Sequence, residues 1–416
     1  MADLRPFRAL RPVPERAAAV AAPPYDVVDV PEARALAAGK PDSFLHVSRP
    51  EIDLPDGASP DAVHDRGRAA LAELQQRGAL VADGAPTLSV YRQRRGAAEQ
   101  TGVVGLASVA EYRDGTVAVH EHTRPDKEDD RTRHIGALAA HDEPVFLMYP
   151  AREEIDTLVA AVTAAPPDVA LTDHEGVEHT LWVVTDAAEI ERFGKAFADV
   201  PRLYVADGHH RSAAAARLHD AEPQLAGTDG FHVVVFPAEQ LTVLAYHRVF
   251  AAPLPLPFDD LLAAVADRFV VTEGDDPAAT PRHAFGLYAG RGTGSETGSE
   301  TGGGRWYRLT ARDGVVDEAD PIARLDVALL QDAVLHPLLG VDDPRRDPRL
   351  AFVGGSRGTG ELESLVDSGR YALAIALHPT SPQEVMSVAD GGLVMPPKST
   401  WFDPKLASGL FVHPLG

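Results

Sequence analysis

Apolar and polar residues alternate along the chain with two periods, one typical of strands and one typical of helices. The strand period predicts strands at residues 87–92, 103–112, 116–120, 145–149, 179–185, 202–206, 232–236 and 371–376. The helical period predicts helices at residues 62–77, 155–164, 187–198, 259–268, 323–339, 361–367 and 382–389, and one that starts near residue 211. We therefore expect an α/β (mixed α+β) fold in which mixed sheets are flanked by helices.

Turn signals and chain length set the expected organisation. Arg-Asp-Gly at 113–115 separates two predicted strands, and an Asp-Gly pair in that position predicts a β-hairpin. A chain of 416 residues exceeds the usual size of a single core. We expect an N-terminal segment at 1–86, a core at 87–252, and a C-terminal α/β region at 253–416 with a flexible Gly/Ser/Thr loop at 291–304.

The composition narrows the possible functions. The chain has no cysteine, which excludes disulfides, thiolate nucleophiles and cysteine-bound zinc. A net charge of -23 disfavours nucleic acid polymers and anionic membranes, although a local basic pocket can still bind a small phosphorylated ligand. The chain starts with charged residues where a secretory signal is apolar, and no apolar run is long enough to span a bilayer. We expect a cytoplasmic protein with small-molecule partners; its composition does not define an oligomeric state.

The strongest chemical signal is Tyr-Val-Ala-Asp-Gly-His-His-Arg-Ser at 204–212, which is followed by four alanines. A β-favouring run, an Asp-Gly break and strong helix formers predict a strand, a tight turn and a helix start. The first turn of such a helix attracts anions, and Arg211 adds a charge-assisted contact to phosphate. Asp207 with His209 and His210 can then bind a metal or transfer a proton. The alternative is a simple N-cap at Asp207 with surface histidines.

A second box, Val-His-Glu-His-Thr at 119–123, follows a predicted strand. If the strand continues, His120 and His122 share one face and Glu121 lies on the other. If the strand ends at His120, the loop can present Glu121 as a general base, with His122 and Asp130 as binding groups. The two histidines also fit a divalent metal, but the sequence offers no clear third ligand, and a solvated strand end is a further alternative.

Three other segments can contact a small ligand. The basic residues Lys127, Arg131 and Arg133 form either a charge-paired solvated loop or an anion-gathering lid. Met-Pro-Pro-Lys-Ser-Thr at 395–400 is either a phosphate or carboxylate clamp behind rigid prolines, or a surface loop over a sheet edge. Ala-Pro-Pro-Tyr-Asp at 22–26 either lines a pocket or turns the chain.

These motifs together resemble the bacterial and archaeal domain-of-unknown-function family number 1015. The resemblance covers nearly the whole chain and rests on Arg-Pro-Phe-Arg-Ala-Leu at 5–10, Ala-Pro-Pro-Tyr-Asp at 22–26, His-Glu-x-Thr at 120–123, Asp-Arg at 130–131, Ala-Asp-Gly-His-His-Arg at 206–211, Leu-Asp-Val at 325–327 and Met-Pro-Pro-Lys-Ser-Thr at 395–400. The Asp-Gly-His-His-Arg box also resembles the phosphate-binding box of the ParB-like and sulfiredoxin superfamily. That superfamily includes free L-serine kinases, which form O-phospho-L-serine.

The resemblance implies a ParB/sulfiredoxin-like nucleotide-binding core with assigned roles. Asp207 would bind Mg²⁺ and act in catalysis, and Glu121 would be the base that accepts the substrate hydroxyl proton. The residues that would hold the phosphates of ATP or ADP are Gly208, His209, His210, Arg211, Ser212, Lys398, Ser399 and Thr400. The residues that would contact the substrate are Tyr25, Asp26, His120, Thr123, Asp130 and Arg131.

These roles predict a nucleotide-dependent kinase that phosphorylates the hydroxyl of a small metabolite, with free L-serine as the first candidate. Phosphoryl transfer needs mainly positioning and charge neutralisation, which a helix N-terminus, an arginine, Mg²⁺ and a base can supply. Two alternatives remain open: a nucleotide-binding regulatory protein without turnover, and a metal-dependent phosphate-ester hydrolase.

Overall fold

The computed structural model describes residues 2–274, 280–290 and 304–416, which form two compact units. Unit 1 joins Met1–Thr242 to the C-terminal segment Pro404–Gly416, and unit 2 is Val243–Asp403. From the sequence we expected boundaries after residues 86 and 252 and a C-terminal region that continues to residue 416. Unit 2 instead begins at Val243 and ends at Asp403. The predicted loop at 291–304 lies outside the described residues except for Gly304.

Short strands supply the sheets of both units. The described strands are β1 (Leu10–Pro12), β2 (Leu80–Ala82), β3 (Leu88–Arg95), β4 (Ala98–Ser108), β5 (Val117–Ala118), β6 (Ala140–His141), β7 (Val145–Tyr149), β8 (Val169–Thr172), β9 (Glu178–Val184), β10 (Leu203–Asp207), β11 (Gly230–Pro237), β12 (Thr242–Leu244), β13 (Tyr246–Phe250), β14 (Phe269–Glu273), β15 (Ala284–Ala289), β16 (Arg305–Ala311), β17 (Leu350–Gly354), β18 (Leu373–Leu377), β19 (Trp401–Asp403) and β20 (His413–Pro414).

Helices lie between the strands in chain order. The described α-helices are α1 (Ala17–Val20), α2 (Val30–Ala37), α3 (Leu45–Ser48), α4 (Pro60–Gln76), α5 (Val109–Asp114), α6 (Pro125–Leu138), α7 (Glu153–Thr163), α8 (Ala187–Ala198), α9 (His209–Ala221), α10 (Phe258–Val265), α11 (Asp326–Leu330), α12 (His336–Leu339), α13 (Gly358–Asp367) and α14 (Pro382–Asp390). A π-helical turn, Gln331–Leu335, joins α11 to α12, so the predicted helix at 323–339 is present in three parts. None of the described helices is long and apolar enough to span a bilayer.

Unit 1 is built on an eight-stranded mixed sheet with the order β5-β10-β7-β11-β4-β3-β9-β8. The pairs β10–β5 and β11–β7 are parallel, whereas β10–β7 and the pairs from β11 to β8 are antiparallel. Its main core packs apolar side chains of these strands against α7, α8 and α9. The expected mixed α/β class is confirmed.

The helices of unit 1 form where the sequence supplies caps and one apolar stripe. Asp186 caps α8 by accepting a hydrogen bond from the backbone N–H of Glu189. Phe193 and Phe197 lie one turn apart on α8 and are both fully buried in the core. Burying one such ring contributes about 2 kcal/mol.

The predicted hairpin at 113–115 is wrong. The strand ends at Ser108, whose hydroxyl caps α5 by accepting from the N–H of Ala110. Gly115 has a φ of 83° and terminates that helix, so the Asp-Gly pair marks a helix end rather than a strand turn. The following strand, β5, pairs with β10 and not with β4. The Asp-Gly signal is the same in both settings, which is why the local sequence did not separate them.

Unit 2 contains a six-stranded sheet with the order β14-β16-β15-β18-β13-β17, and its described pairs are all antiparallel. Its apolar cluster joins β13, β15, β16, β17 and β18 to α13. The predicted helices near 259–268, 361–367 and 382–389 correspond to α10, α13 and α14.

Candidate functional site

The site begins at the junction of β10 and α9 in unit 1. The pairing of β10 with β7 shifts register between Val205 and Asp207, which leaves Ala206 as the extra residue and pairs Asp207 with Phe146 at the end of the strand. Gly208 follows with a φ of 100°, a left-handed conformation that favours glycine. Helix α9 starts at His209, so the strand, turn and helix predicted at 204–212 are confirmed.

Asp207 lies between two cations. Its Oδ1 accepts a hydrogen bond from Lys405 Nζ at 2.9 Å, and its Oδ2 accepts from Arg211 Nη2 at 2.6 Å. Burial raises the pKa of Asp207, but the charges of Lys405 and Arg211 outweigh burial and hold that pKa below its ordinary value. Asp207 is therefore ionised at neutral pH and orients both cations.

The first turn of α9 is free of side-chain caps, because Gly208 carries no capping group. The backbone N–H groups there lack intrahelical acceptors and carry the positive end of the helix dipole. Arg211 is buried, donates to the carbonyl of Pro144 as well as to Asp207, and has no hydrogen-bond partner for its Nε among the described residues. A Cβ added to Gly208 would come within 3.1 Å of that Nε. The guanidinium thus lies directly beside the uncapped turn.

The loop at 119–124 lies against the same turn. β5 ends at Ala118, so His120 lies in a loop, and its ring contacts the ring of His209 edge to face with centroids 4.4 Å apart. The backbone N–H of Arg124 donates to His210 Nε2 at 3.1 Å. Glu121 lies between these two contacts, and adjacent Cα atoms are about 3.8 Å apart, so the loop holds Glu121 near the start of α9.

The histidines of this loop have different surroundings. His120 is buried and His122 is exposed, so they do not form a pair. Burial lowers the pKa of His120 to about 4, and burial with the nearby His120 lowers the pKa of His209 well below its ordinary value. His120 and His209 are therefore neutral at physiological pH.

Among the other predicted substrate contacts, Arg131 and its partner Asp130 lie beside Tyr25. The guanidinium of Arg131 stacks on the Tyr25 ring at 4.3 Å and pairs with Asp130 at 2.8 Å. Asp26 is exposed. The hydroxyl of Thr123 donates to Glu128, which lies in the first turn of α6.

Glu143 is a functional candidate that sequence reasoning missed. Its Oε1 accepts from the backbone N–H of Tyr25 at 2.9 Å and from the hydroxyl of Ser408 at 2.8 Å, while its Oε2 has no hydrogen-bond partner among the described residues. Burial raises the pKa of Glu143 to about 8, with Arg211 opposing and Asp142 reinforcing the shift.

A small cavity beside Glu143 offers about 10 Å³ to the centre of a water molecule, which is room for about one water. Arg211 contributes to its lining, so the cavity adjoins the Asp207 pair. Further polar side chains that line it are Tyr25, Arg131, His141, Asp142 and His232.

The remaining predicted phosphate ligands are engaged within α9 or belong to unit 2. The Ser212 hydroxyl is fully buried and donates to the carbonyl of His209 within α9. Lys398, Ser399 and Thr400 belong to unit 2. There, the exposed Lys398 has its Nζ 5.3 Å from the centre of the Tyr246 ring, and the buried Ser399 donates to the carbonyl of Pro396 at 2.6 Å.

Asp207 could supply only one of the ligands that a magnesium ion needs. In the part of the chain that the structure describes, no three His, Cys, Asp or Glu side chains are grouped to hold a metal ion. Magnesium bound with nucleotide usually takes one or two protein carboxylates and completes its shell with phosphates and water. Each oxygen of Asp207 already accepts one hydrogen bond and retains a second lone pair, so Asp207 can serve as that single carboxylate.

Comparison with known proteins places the chain in a family. A family model described as protein of unknown function, DUF1015, matches residues 4–328. The chain belongs to this family. The match is shorter than the coverage that the sequence motifs implied, since it ends before the motif at 395–400 and before Lys405. No curated protein matches this DUF1015 member.

Several solved structures are similar at low identity. A conserved hypothetical protein from Pyrococcus furiosus is 13% identical with a TM-score of 0.35, over 72% of this chain and 90% of that one. A free serine kinase in complex with AMP is 13% identical with a TM-score of 0.36, over 72% and 86%. SbnI with a C-terminal truncation, from Staphylococcus aureus, is 13% identical with a TM-score of 0.38, over 72% and 82%.

Of the two features of the site that sequence reasoning missed, one had a weak signal in the sequence and the other had none. Asp142 and Glu143 stand immediately before the apolar strand β7, where buried acidic residues are unusual. Lys405 ends the proline-containing motif that starts at Met395, but nothing local links it to Asp207. The acidic pair next to an apolar strand was therefore visible in the sequence, whereas its burial and the lysine contact were not.

Proposed function

We propose that unit 1 is a nucleotide-dependent kinase that transfers a phosphoryl group to the hydroxyl of a small metabolite, with free L-serine as the first candidate acceptor. One observation carries the proposal: the uncapped start of α9 lies beside the buried guanidinium of Arg211, whose Nε has no hydrogen-bond partner among the described residues. Backbone N–H groups and a guanidinium at one turn suit a phosphate group.

The proposal assigns a role to each element of the turn. The N–H groups of α9 and the guanidinium of Arg211 would bind the phosphates and stabilise charge that develops during transfer. Asp207 would orient Arg211 and contact Mg²⁺. When bound, Mg²⁺ would neutralise charge on the phosphate oxygens.

Glu121 is the proposed base. Its loop is fixed against α9 by the contacts of His120 and Arg124, and a carboxylate there can accept the proton of an acceptor hydroxyl. Tyr25 and Arg131 would bind the metabolite, since their stacked pair presents a planar cation that suits a carboxylate. A cytoplasmic location fits ATP or ADP as the donor.

Turnover tests the proposal. The full chain is incubated with ATP or ADP, Mg²⁺ and L-serine, and O-phospho-L-serine is measured by mass spectrometry. The Glu121→Gln variant should lose transfer and keep nucleotide binding, while the exposed Glu153→Gln control on α7 should match the wild type.

The outcomes separate the alternatives. Nucleotide binding without any product would favour a regulatory nucleotide-binding protein. Release of inorganic phosphate without an acceptor would favour a phosphate-ester hydrolase. Full transfer activity in Glu121→Gln would remove Glu121 from the role of base.

A further inference from the structure

The C-terminal segment Pro404–Gly416 is part of unit 1 and is hydrogen-bonded to other segments of that unit. The backbone of Ser408 exchanges hydrogen bonds with Ala22, and Val412 does the same with Leu10. Strand β20 then pairs with β6. Most of the segment is buried, so its position is fixed by the core of unit 1.

Buried polar side chains fix the backbone at Lys405 and directly after it. Gln93 donates to the carbonyl of Lys405 at 2.7 Å, and Gln100 donates to Gln93 at 2.9 Å. The hydroxyl of Tyr91 accepts from the N–H of Ala407 at 3.4 Å. The two glutamines and Tyr91 are almost completely buried, and burying polar groups is costly unless they are paired, so this part of the segment is held in one position.

A chain of hydrogen bonds also holds the hydroxyl of Tyr91. Its hydroxyl lies 2.5 Å from His179 Nδ1, and His179 Nε2 lies 3.1 Å from Asp173. The three groups form one chain from the surface residue Asp173 to the backbone of Ala407. Tyr91 is thereby fixed in position along with the segment that it contacts.

These contacts fix the position of the Lys405 ammonium group. Lys405 Nζ contacts Asp207, the residue directly before the N-cap of α9, and only 16% of the Lys405 side chain is exposed. Without Lys405, the negative charge of Asp207 and the positive charge of Arg211 would cancel. The addition of Lys405 leaves one net positive charge on the three groups, beside the unpartnered Nε of Arg211 and the uncapped helix start.

We propose that Lys405 is an anion-binding residue, positioned by the C-terminal segment so that its ammonium contacts the phosphate bound at the start of α9. This inference rests on the proposed function, because it takes the turn to be a phosphate site. It extends that function by making a segment beyond the matched family range of 4–328 part of the site. The ligand class is a di- or triphosphate, whose charge gains most from an extra cation.

Calorimetry on the full chain tests the role with two probes, inorganic tripolyphosphate and ATP. Lys405→Met should weaken binding of tripolyphosphate by about tenfold, and Lys405→Arg should remain within about threefold of the wild type, because it retains the charge. The matched control is Lys195→Met, since Lys195 is 72% exposed and pairs with Glu191 one turn away on α8. If Lys405 had a purely structural role, Lys405→Met would lower the melting temperature but would leave the salt dependence of tripolyphosphate binding unchanged.

A second measurement uses the wild type alone, so it does not depend on the folding of a variant. Lysine amines are labelled with and without tripolyphosphate, and labelling at Lys405 is read by mass spectrometry. The proposal predicts that tripolyphosphate protects Lys405 by about fivefold or more and leaves Lys195 unchanged.

The failures are distinguishable. If the wild type binds tripolyphosphate and ATP but Lys405 is neither protected nor needed, the role of Lys405 is wrong and the proposed function stands. If the wild type binds neither probe, the inference falls together with the proposed function. If both probes bind through Lys405 but no phosphoserine forms, the inference holds and the kinase assignment fails.

Discussion

Lys405 Nζ donates a hydrogen bond to Asp207 Oδ1 at 2.9 Å, although 198 positions separate the two residues in the sequence. Arg211 pairs with the other carboxylate oxygen from one turn along α9. Asp207 therefore connects the β10–α9 turn to the C-terminal segment. The stability of this turn depends on a contact between distant parts of the chain.

Removing the charge of Asp207 should destabilise unit 1. Asp207→Asn leaves two poorly exposed cations without their counter-ion, and breaking a buried pair in this way costs about 3 kcal/mol. Urea unfolding of the variant measures the change. The control Glu191→Gln breaks an exposed pair with Lys195 and should leave the free energy of unfolding nearly unchanged. Equal effects of the two substitutions would contradict the account.

Gly208 should be intolerant of a side chain for two separable reasons. Gly208→Ala places a Cβ in a left-handed conformation and brings it within 3.1 Å of the Arg211 guanidinium, which its bonds to Pro144 and Asp207 hold in place. Gly115→Ala is the matched control, because Gly115 has a φ of 83° and no neighbour within 4 Å.

We expect Gly115→Ala to cost about 1 kcal/mol from the backbone alone. Gly208→Ala should cost more in denaturant unfolding and should also weaken ATP binding, because the guanidinium must move. A loss no larger than that of Gly115→Ala, with unchanged ATP binding, would show that the Arg211 contact is unimportant.

The buried carboxyl of Glu143 should make stability depend on pH. Its pKa is raised to about 8 in the folded protein, so the folded state holds a proton that the unfolded state releases near pH 4.5. The stability linked to this proton is complete below the unfolded pKa and is lost as pH rises through about 8. Each unit of pKa shift corresponds to about 1.4 kcal/mol.

Glu143→Gln removes this titration, so its free energy of unfolding should fall less than that of the wild type between pH 5 and pH 9. Urea unfolding at several pH values gives both curves. Parallel curves for the two proteins would mean that Glu143 is ionised when folded.

Tyr91 should contribute to stability through its hydroxyl. Tyr91→Phe leaves His179 Nδ1 and the N–H of Ala407 without their partner in the core, which should cost about 1 to 3 kcal/mol. Tyr307→Phe is the control, since the buried Tyr307 makes no hydrogen bond through its hydroxyl to any residue that the structure describes. Thermal unfolding compares the two, and a Tyr91→Phe protein as stable as the control would contradict the anchoring of the C-terminal segment.

The parts of the fold that local signals determine were predictable. The alternation of apolar residues, the Asp-Gly break and the alanines after Arg211 together predicted β10, the turn and α9. The Asp-Gly pair at 114–115 misled because it also suits a helix end. The pair ends a helix here because Ser108 caps the start of α5.

The charge environment of the site was not predictable in the same way. The pairing of Asp207 with Lys405 depends on the C-terminal segment entering unit 1, and no periodicity reports such a contact. The raised pKa of Glu143 depends on burial that only the tertiary structure supplies. The sequence could therefore locate the β10–α9 turn but not the groups that set its charge.

The most direct test of the central claim is an NMR titration of the full chain with ATP, observed at backbone amides. A phosphate bound at the start of α9 accepts hydrogen bonds from the N–H groups of Gly208, His209 and His210, so these amides should shift most. Adenosine, which lacks phosphate, should leave them in place. Saturating ATP binding with no shift at these three amides would contradict the account.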